Sequence, residues 1–266
     1  MNVFDHKNPL TLENQVIFLT GAAGQLGSNM VNGFLKMGSK VIATDSNIKK
    51  LKEYSIKNSW DPESICLFQC DIANKKSVTV AFKKGKKEFG KITSLVANAG
   101  ASVFEPFMER KESSIDLVMN VNLKGTIFCI QEFLKQANKK ENNQSIVSIA
   151  SHYGLVSPDP RIYKDGDRRN SEIYGASKAG IIQMTKYFAV HASELNVRVN
   201  AVSPGGIYNN ENPQGIEFQK KYNYRTPMKR MGEPDEIVGA VIFLLSNAAS
   251  YINGHNLVVD GGFSSW

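Results

Sequence analysis

The stretch Gln15-Val16-Ile17-Phe18-Leu19-Thr20-Gly21-Ala22-Ala23-Gly24-Gln25-Leu26-Gly27 decides how the rest of the chain is read. Its first six residues are a short apolar run, the kind that makes a strand buried on both faces of a sheet. Glycines follow at once, and a helical pattern runs from them to about Met37. A second strand, 39–45, ends on Asp45, 18 positions beyond Gly27. Strand, glycine turn, helix, strand and acid in that order fit a dinucleotide site. Glycine removes side chains where backbone must approach a pyrophosphate, and a helix N-terminus favours the negative charge. A carboxylate at position 45 can accept hydrogen bonds from a ribose diol and repels a 2′-phosphate.

The alternation continues outward from this unit. Strands are expected at 64–71, 94–97, 145–150, 197–202 and 256–259, and helices at 74–89, about 112–139, from Tyr174 onward, and near 234–247. Strands alternating with helices imply an α/β fold, a Rossmann-like, doubly wound parallel sheet with helices on both faces. No linker, repeat or low-complexity stretch interrupts the pattern, so residues 1–266 are expected to form a single domain. Asp45, Asp71, Asn98, Ser151 and Pro204-Gly205 all fall at strand ends, along the carboxyl edge where such sheets bind ligands.

One pair on the helix after Ser151 carries chemistry. Tyr174 and Lys178 are i and i+4, on one helix face. An ammonium beside a phenol favours the phenolate, so the spacing predicts a Tyr174 pKa below the ordinary value of about 10. A phenol tuned in that way can give or take a proton in a transition state.

Composition excludes several other classes. The net charge is +7, but the lysines at 49, 50, 52, 75, 76, 83, 84, 86 and 87 are scattered over helical faces. Such runs read as solvated surface, not as a nucleic-acid footprint. Cys66, Cys70 and Cys129 have no paired spacing and read as reduced, buried thiols, without a disulfide frame or zinc site. No cluster of His, Asp and Glu suggests a metal. The start is polar, with Asp5, His6 and Lys7, which is unlike a signal peptide, and no apolar run is long enough to cross a bilayer. A soluble cytoplasmic protein, without membrane or nucleic-acid partners, is the expectation. Ser151 lacks the Gly-x-Ser-x-Gly surroundings of a hydrolase nucleophile.

Taken together, Thr20-Gly21 with Gly24 and Gly27, Asp71, Asn98-Ala99-Gly100, Asn122, Ser151, Tyr174-x-x-x-Lys178, Pro204-Gly205 and Asp260-Gly261-Gly262 resemble the short-chain dehydrogenase/reductase family. The resemblance covers about residues 13–262 and is to the family's short, single-domain branch. It implies that Tyr174 is the general acid or base, that Lys178 lowers its pKa and binds the nicotinamide ribose, and that Ser151 holds the reacting oxygen. Asn122 would anchor a water in a proton relay. The cofactor-binding set it implies is Thr20, Gly21, Ala23, Gly24, Gln25, Leu26, Gly27, Asp45, Asp71, Ile72, Asn98, Ala99, Gly100, Tyr174, Lys178, Pro204, Gly205 and Ile207. Asp45 favours NAD over NADP.

Two features depart from the branch. Gln25 stands where Gly or Ala is usual, a spacing that looks like the family's extended branch. Ser151 and Tyr174 are 23 positions apart, a wider gap than usual, which makes an inserted loop of about 153–172. This loop is expected to overhang the substrate. His152 and Tyr153 are candidate substrate contacts, and Arg161, Arg168 and Arg169 are candidates to grip an anionic group through their planar forks. A second candidate lid is 207–230. The sequence therefore predicts an NAD-dependent enzyme moving a hydride between nicotinamide and a secondary alcohol or ketone of a small polar, anionic substrate. A sugar or sugar phosphate comes first, by similarity to members tied to bacterial surface-sugar and flagellin glycan pathways. The alternatives are a 3-oxoacyl carrier-protein reductase and a non-catalytic dinucleotide sensor. The resemblance also implies a homotetramer or homodimer, built on the helices at 112–139 and 172–195.

Overall fold

The structure, a computed structural model, describes residues 8–141, 143–163 and 169–266. Seven parallel strands form one sheet: β1 Val16–Thr20, β2 Lys40–Asp45, β3 Ile65–Gln69, β4 Ser94–Ala97, β5 Gln144–Ile149, β6 Val197–Pro204 and β7 Asn256–Val259. Their spatial order is β3-β2-β1-β4-β5-β6-β7. Thr20 pairs with Thr44 on one side of β1, and Leu19 pairs with Val96 on the other. Strand order therefore reverses between β1 and β4, and a crevice opens beyond their carboxyl ends.

Helices cover both faces: α1 Gln25–Lys36, α2 Ile48–Lys57, α3 Lys75–Phe89, α4 Glu112–Val118, α5 Thr126–Leu134, α6 Glu172–His191, α7 Ile216–Arg225 and α8 Pro234–Leu245. Local chemistry fixes several ends. Asn74 caps α3 by accepting from Lys76 and Ser77 N–H, and Ser171 caps α6 by accepting from Tyr174 N–H. Glu233 and Glu236 form a reciprocal capping box with Pro234 at the first turn of α8. One apolar layer joins Met30, Val31 and Phe34 of α1 to Val238, Val241 and Leu244 of α8, over Leu19 and Val41 of the sheet. The opposite layer packs Phe82 of α3 and Phe133 of α5 against Phe18, Ile42, Leu95 and Ile146. Strands that are apolar on both faces fit between these layers, which is why β1 and β4 are buried throughout.

The helix expected at 112–139 is a composite. A π-helical turn, Met119–Gly125, separates α4 from α5, and the helix stops at Leu134. The wider turn accompanies Asn122, whose amide is drawn inward to the backbone of Ala101. Beyond Leu134 the Gln144 side chain captures Asn138 N–H and carbonyl, at 3.0 and 2.9 Å. The segment 207–230 is also more structured than a plain lid. It contains α7, which no expectation covered, and Tyr222 on that helix is buried.

Candidate active site

The glycine turn is held rigidly from below. Thr20 Oγ1 accepts from Asn98 N–H and Ala99 N–H, at 3.0 and 3.1 Å. Asn98 Nδ2 donates to the carbonyls of Thr20 and Gly21. Gly21 has φ +67°, and a Cβ there would stand 2.7 Å from Ala99 Cα, so only glycine fits. Asp45 closes the turn from β2. Its Oδ2 accepts from Ala23 N–H at 3.0 Å and its Oδ1 from Asn47 N–H at 2.8 Å.

A trough of about 500 Å³ lies above these groups. It is walled by Gly21, Gly24, Gln25, Leu26, Asp45, Asp71, Ile72, Asn98, Ala99 and Gly100, among others. The trough continues past Gln25, Leu26, Asn98 and Gly100 into a cavity of about 320 Å³. That cavity is walled by Ser151, Tyr174, Lys178, Pro204, Gly205 and Ile207. Three members of the expected cofactor set lie outside both walls: Thr20, Ala23 and Gly27. Thr20 and Ala23 are buried, and a Cβ at Gly27 would stand 2.1 Å from Gly21 O. Their place is in the scaffold behind the turn. The walls also include Ser46, Cys70, Ala101, Leu117 and Val121, none expected from the sequence. The four-residue spacing of Leu117 and Val121 was the one readable signal.

The catalytic candidates converge on the second cavity. Ser151 caps a 3₁₀ turn, His152–Gly154, directly beyond β5, and its Oγ accepts from Tyr153 N–H at 3.1 Å. Helix α6 passes close by this turn, since a Cβ at Gly154 would lie 2.8 Å from the Lys178 carbonyl carbon. Lys178 is 4% exposed. Its Nζ donates to Ile149 O at 2.7 Å and stands 5.6 Å from the centre of the Tyr174 ring. Asn122 is fully buried; its Oδ1 accepts from Ala101 N–H at 2.7 Å, while Nδ2 donates to Ala101 O and to Ser177 Oγ. The Asn122 amide therefore fixes Ala101 and α6 and has no donor left for another partner.

Electrostatics corrects one expectation. Burial raises the Tyr174 phenol above its ordinary pKa, and hydrogen bonding to Ser151 opposes the rise. Burial also lowers Lys178 to about 8. The ammonium sits over the ring, 5.6 Å from its centre, and bonds a carbonyl, so it does not bring the phenol down as the i, i+4 spacing suggested.

The substrate candidates divide. His152 and Tyr153 are buried behind the cavity wall. His152 Nδ1 faces Pro204 O at 2.8 Å, and burial keeps the ring's pKa low, hence neutral. Tyr153 Oη pairs with Tyr163 Oη at 2.6 Å and fastens the inserted loop to an aromatic cluster with Tyr222 and Phe263. Arg161 binds Asp159 at 2.7 Å and lines a different cavity, with Lys220, Lys221, Tyr224 and Arg225. That cavity shares no residue with the Ser151–Tyr174 wall. Burial raises the Tyr163 phenol, and Arg169 lies close enough for its charge to oppose that rise, while Arg168 falls outside the described residues. Arg161→Ala is therefore expected to leave kcat/KM unchanged in steady-state assays. A strong rise in KM would return Arg161 to the substrate.

Among the described residues no group of His, Cys, Asp and Glu is arranged to hold a metal ion, and no helix is long and apolar enough to cross a membrane.

A doubly wound sheet with a glycine trough opening onto a Ser–Tyr–Lys cavity defines a dinucleotide-binding class of protein. Comparison with known proteins makes this specific. A family model described as "Enoyl-(Acyl carrier protein) reductase" matches residues 21–264. The chain is similar to an NADH-dependent L-xylulose reductase of Ambrosiozyma monospora, at 31% identity over 98% of this chain and 99% of that one. It is also similar to a 3-oxoacyl-[acyl-carrier-protein] reductase of Thermotoga maritima, at 32% identity over 95% and 99% of the two chains. The crystal structure of a short-chain dehydrogenase from Leptospira borgpetersenii with bound NAD+ superposes with a TM-score of 0.85, at 35% identity over 97% of this chain and 96% of that one. The chain belongs to the short-chain dehydrogenase/reductase family and is an oxidoreductase.

Proposed function

We propose that this enzyme moves a hydride between NAD(H) and a secondary alcohol or ketone of a small sugar or sugar alcohol. The observation that carries the reading is the continuity of the glycine trough with a cavity walled by Ser151, Tyr174 and Lys178.

The residues present fit a dinucleotide. No side chain caps α1, and its first turn holds no acid, so the helix N-terminus is left positive toward the trough. Gly21, Gly24 and the Asn98–Gly100 backbone would pass the pyrophosphate, Asp45 and Asp71 would border the adenosine half, and Lys178, Gly205 and Ile207 the other. When bound, the nicotinamide supplies or accepts the hydride. The remaining work is proton management by the chain itself. Ser151 would orient the reacting oxygen. Tyr174 Oη would give it a proton in the reductive direction, and burial keeps that phenol protonated near neutral pH. Lys178, titrating near 8, would hold a charge under the site that responds to mildly alkaline pH.

Support for the sugar comes from the L-xylulose reductase relative and from a cavity bordered by Gln25, Asn98, Ser102, Ser151 and Tyr174. The anionic refinement loses its main support with Arg161 turned away. The test is a coupled assay with ketoses, sugar alcohols, sugar phosphates and a 3-oxoacyl thioester. The reading predicts turnover with neutral sugars. Turnover confined to the thioester would favour the acyl reductase that the Thermotoga relative represents.

NAD is the proposed cofactor because Asp45 ends β2 at the trough. NAD(H) should bind more tightly than NADP(H) by about ten- to a hundredfold, the scale of one charged contact of about 1.5–3 kcal/mol. Fluorescence titration measures this, and Asp45→Ala should narrow the gap. Tighter NADP(H) binding by the unaltered protein would overturn the assignment.

Assembly as a homotetramer or homodimer is part of the same proposal. Ile181 belongs to the core at 3% exposure, but Tyr187 and Val190 on α6 and Phe107 and Met108 before α4 are exposed. The three cysteines are unpaired, and burial raises all three thiols, Cys66 to about 12 and Cys70 to about 11. That chemistry suits a reducing, cytoplasmic compartment.

A further inference from the structure

We propose that the cavity between the inserted loop and α7 is a second binding site, apart from the catalytic one. Its ligand is a small amphipathic anion, a carboxylate or phosphate monoester on a short apolar body. The site stands independently of the dinucleotide reading.

The cavity measures about 330 Å³, within the usual range of about 300–1,000 Å³ for small-ligand pockets. The inserted loop supplies Asp159, Arg161 and Ile162, and α7 supplies Lys220, Lys221, Tyr224 and Arg225. None of these residues borders the glycine trough or the Ser151–Tyr174 cavity. Four cations and one carboxylate line the space, a local excess of three positive charges. The carboxylate is already taken. Asp159 accepts from Arg161 Nε at 2.9 Å and Nη2 at 2.7 Å, and Arg225 Nε stands 3.8 Å from it. Lys220 and Lys221 have no ion-pair partner among the described residues. Lys221 and Arg225 are moreover i and i+4 on one helix, a like-charge spacing that costs the helix and that an anion would relieve. Residues 164–168 carry two acids and two bases in the sequence and so leave the balance unchanged.

Charge accounts for the head group, and the walls account for the body. The cavity surface is mostly carbon, although five of its seven lining residues are charged. Lysine and arginine stems cover apolar surface in this way while their heads stay in water. Ile162 is buried, whereas Tyr224 is 82% exposed. An aromatic ring standing in water beside a carbon-walled cavity is apolar area that an occupant would cover. Inorganic phosphate or a bare sugar has nothing to place there. Arg225 is a fixed part of the wall: its Nη2 donates to Trp266 O at 2.8 Å, and its guanidinium lies 4.7 Å over the Phe263 ring. Each wall also braces the catalytic region. Tyr163, next to Ile162, pairs with the Tyr153 hydroxyl, and Tyr222, next to Lys221, accepts from Gly206 N–H. An occupant would join these two elements and stabilise the folded chain.

Calorimetric and thermal-shift titrations of the full chain test the site with decanoate, decyl phosphate, decanol and inorganic phosphate. Decanoate and decyl phosphate should bind at one site per chain and raise Tm with concentration. The tighter of the two names the head group. Decanol lacks the charge and inorganic phosphate lacks the apolar body, so each should bind at least about tenfold more weakly. Lys220 and Lys221 are both exposed, so reversing them leaves the fold intact. The double variant Lys220→Glu, Lys221→Glu should weaken both decyl anions by about ten- to a hundredfold, the scale of one charged contact, and leave decanol unchanged. Tyr224→Ala should weaken the decyl anions as well, through the lost ring. Absence of binding by either decyl anion would overturn the site. So would decanol binding as tightly as decanoate, or anion affinity unmoved by the charge reversal. Displacement of NADH by decanoate would put the anion in the glycine trough and overturn it too.

Discussion

Tyr174→Phe is expected to lower kcat by about 10²–10⁴, the usual contribution of a positioned proton donor, with NADH affinity unchanged. The variant removes one oxygen from a side chain whose ring is packed against its neighbours. Helix α6 stays capped by Ser171, and Ser177 Oγ still donates to the carbonyl of residue 174 at 2.7 Å. Binding groups in the trough are untouched, so the loss falls on the chemical step. Calorimetric titration with NADH and steady-state assay on the best sugar substrate together check it. A variant keeping a tenth or more of the kcat would remove Tyr174 from the proton-transfer role. The same residue carries a pH consequence. Since burial raises the phenol, carbonyl reduction should persist well above neutral pH until the phenol itself ionises.

The glycine turn and Asp45 could be read from the sequence because local backbone demands set them. A strand running into closely spaced glycines and an acid at the next strand end leave few other structures available. The same holds for Ser151, Tyr174 and Lys178, whose spacing on a strand end and one helix face places them without knowledge of packing. What escaped depends on tertiary neighbours. The π turn around Asn122 accompanies a bond to Ala101, 21 positions away, and helix periodicity does not foresee it. The Tyr174 pKa went the other way because desolvation outweighs an ammonium that sits over the ring and bonds Ile149 O. Arg161 looked like an anion clamp in a loop leaving the catalytic edge. Asp159, two residues earlier, takes its guanidinium, and the Tyr153–Tyr163 pair anchors the loop elsewhere. Gln25 was visible as an oddity in the turn, but its partner, the Tyr208 carbonyl, lies 183 positions away.

Lys178→Met should lose most activity and yet stabilise the protein below pH 8. The buried ammonium titrates at about 8 in the folded chain, against an ordinary 10.5. Its burial costs about 3 kcal/mol at neutral pH, taking about 1.4 kcal/mol per pKa unit. Between pH 8 and 10.5 the unfolded chain binds more protons at this site than the folded one, so stability rises with pH across that window. Below pH 8 the full cost is present, and above 10.5 it has vanished. Methionine carries no charge and fills a similar volume, but it gives up the bond from the ammonium to Ile149 O, which offsets about 1.5–3 kcal/mol. The net gain at pH 7 is therefore at most about 1.5 kcal/mol, and it should shrink and then reverse as pH approaches 10.5. Urea unfolding of both proteins at pH 7, 8.5 and 10 measures the difference. A variant less stable at pH 7, or a gap that does not change with pH, would mean that the ammonium is not a cost to the fold. A stabilised, inactive Lys178→Met would show a charge kept under the catalytic cavity at the expense of stability, as expected of a group retained for function.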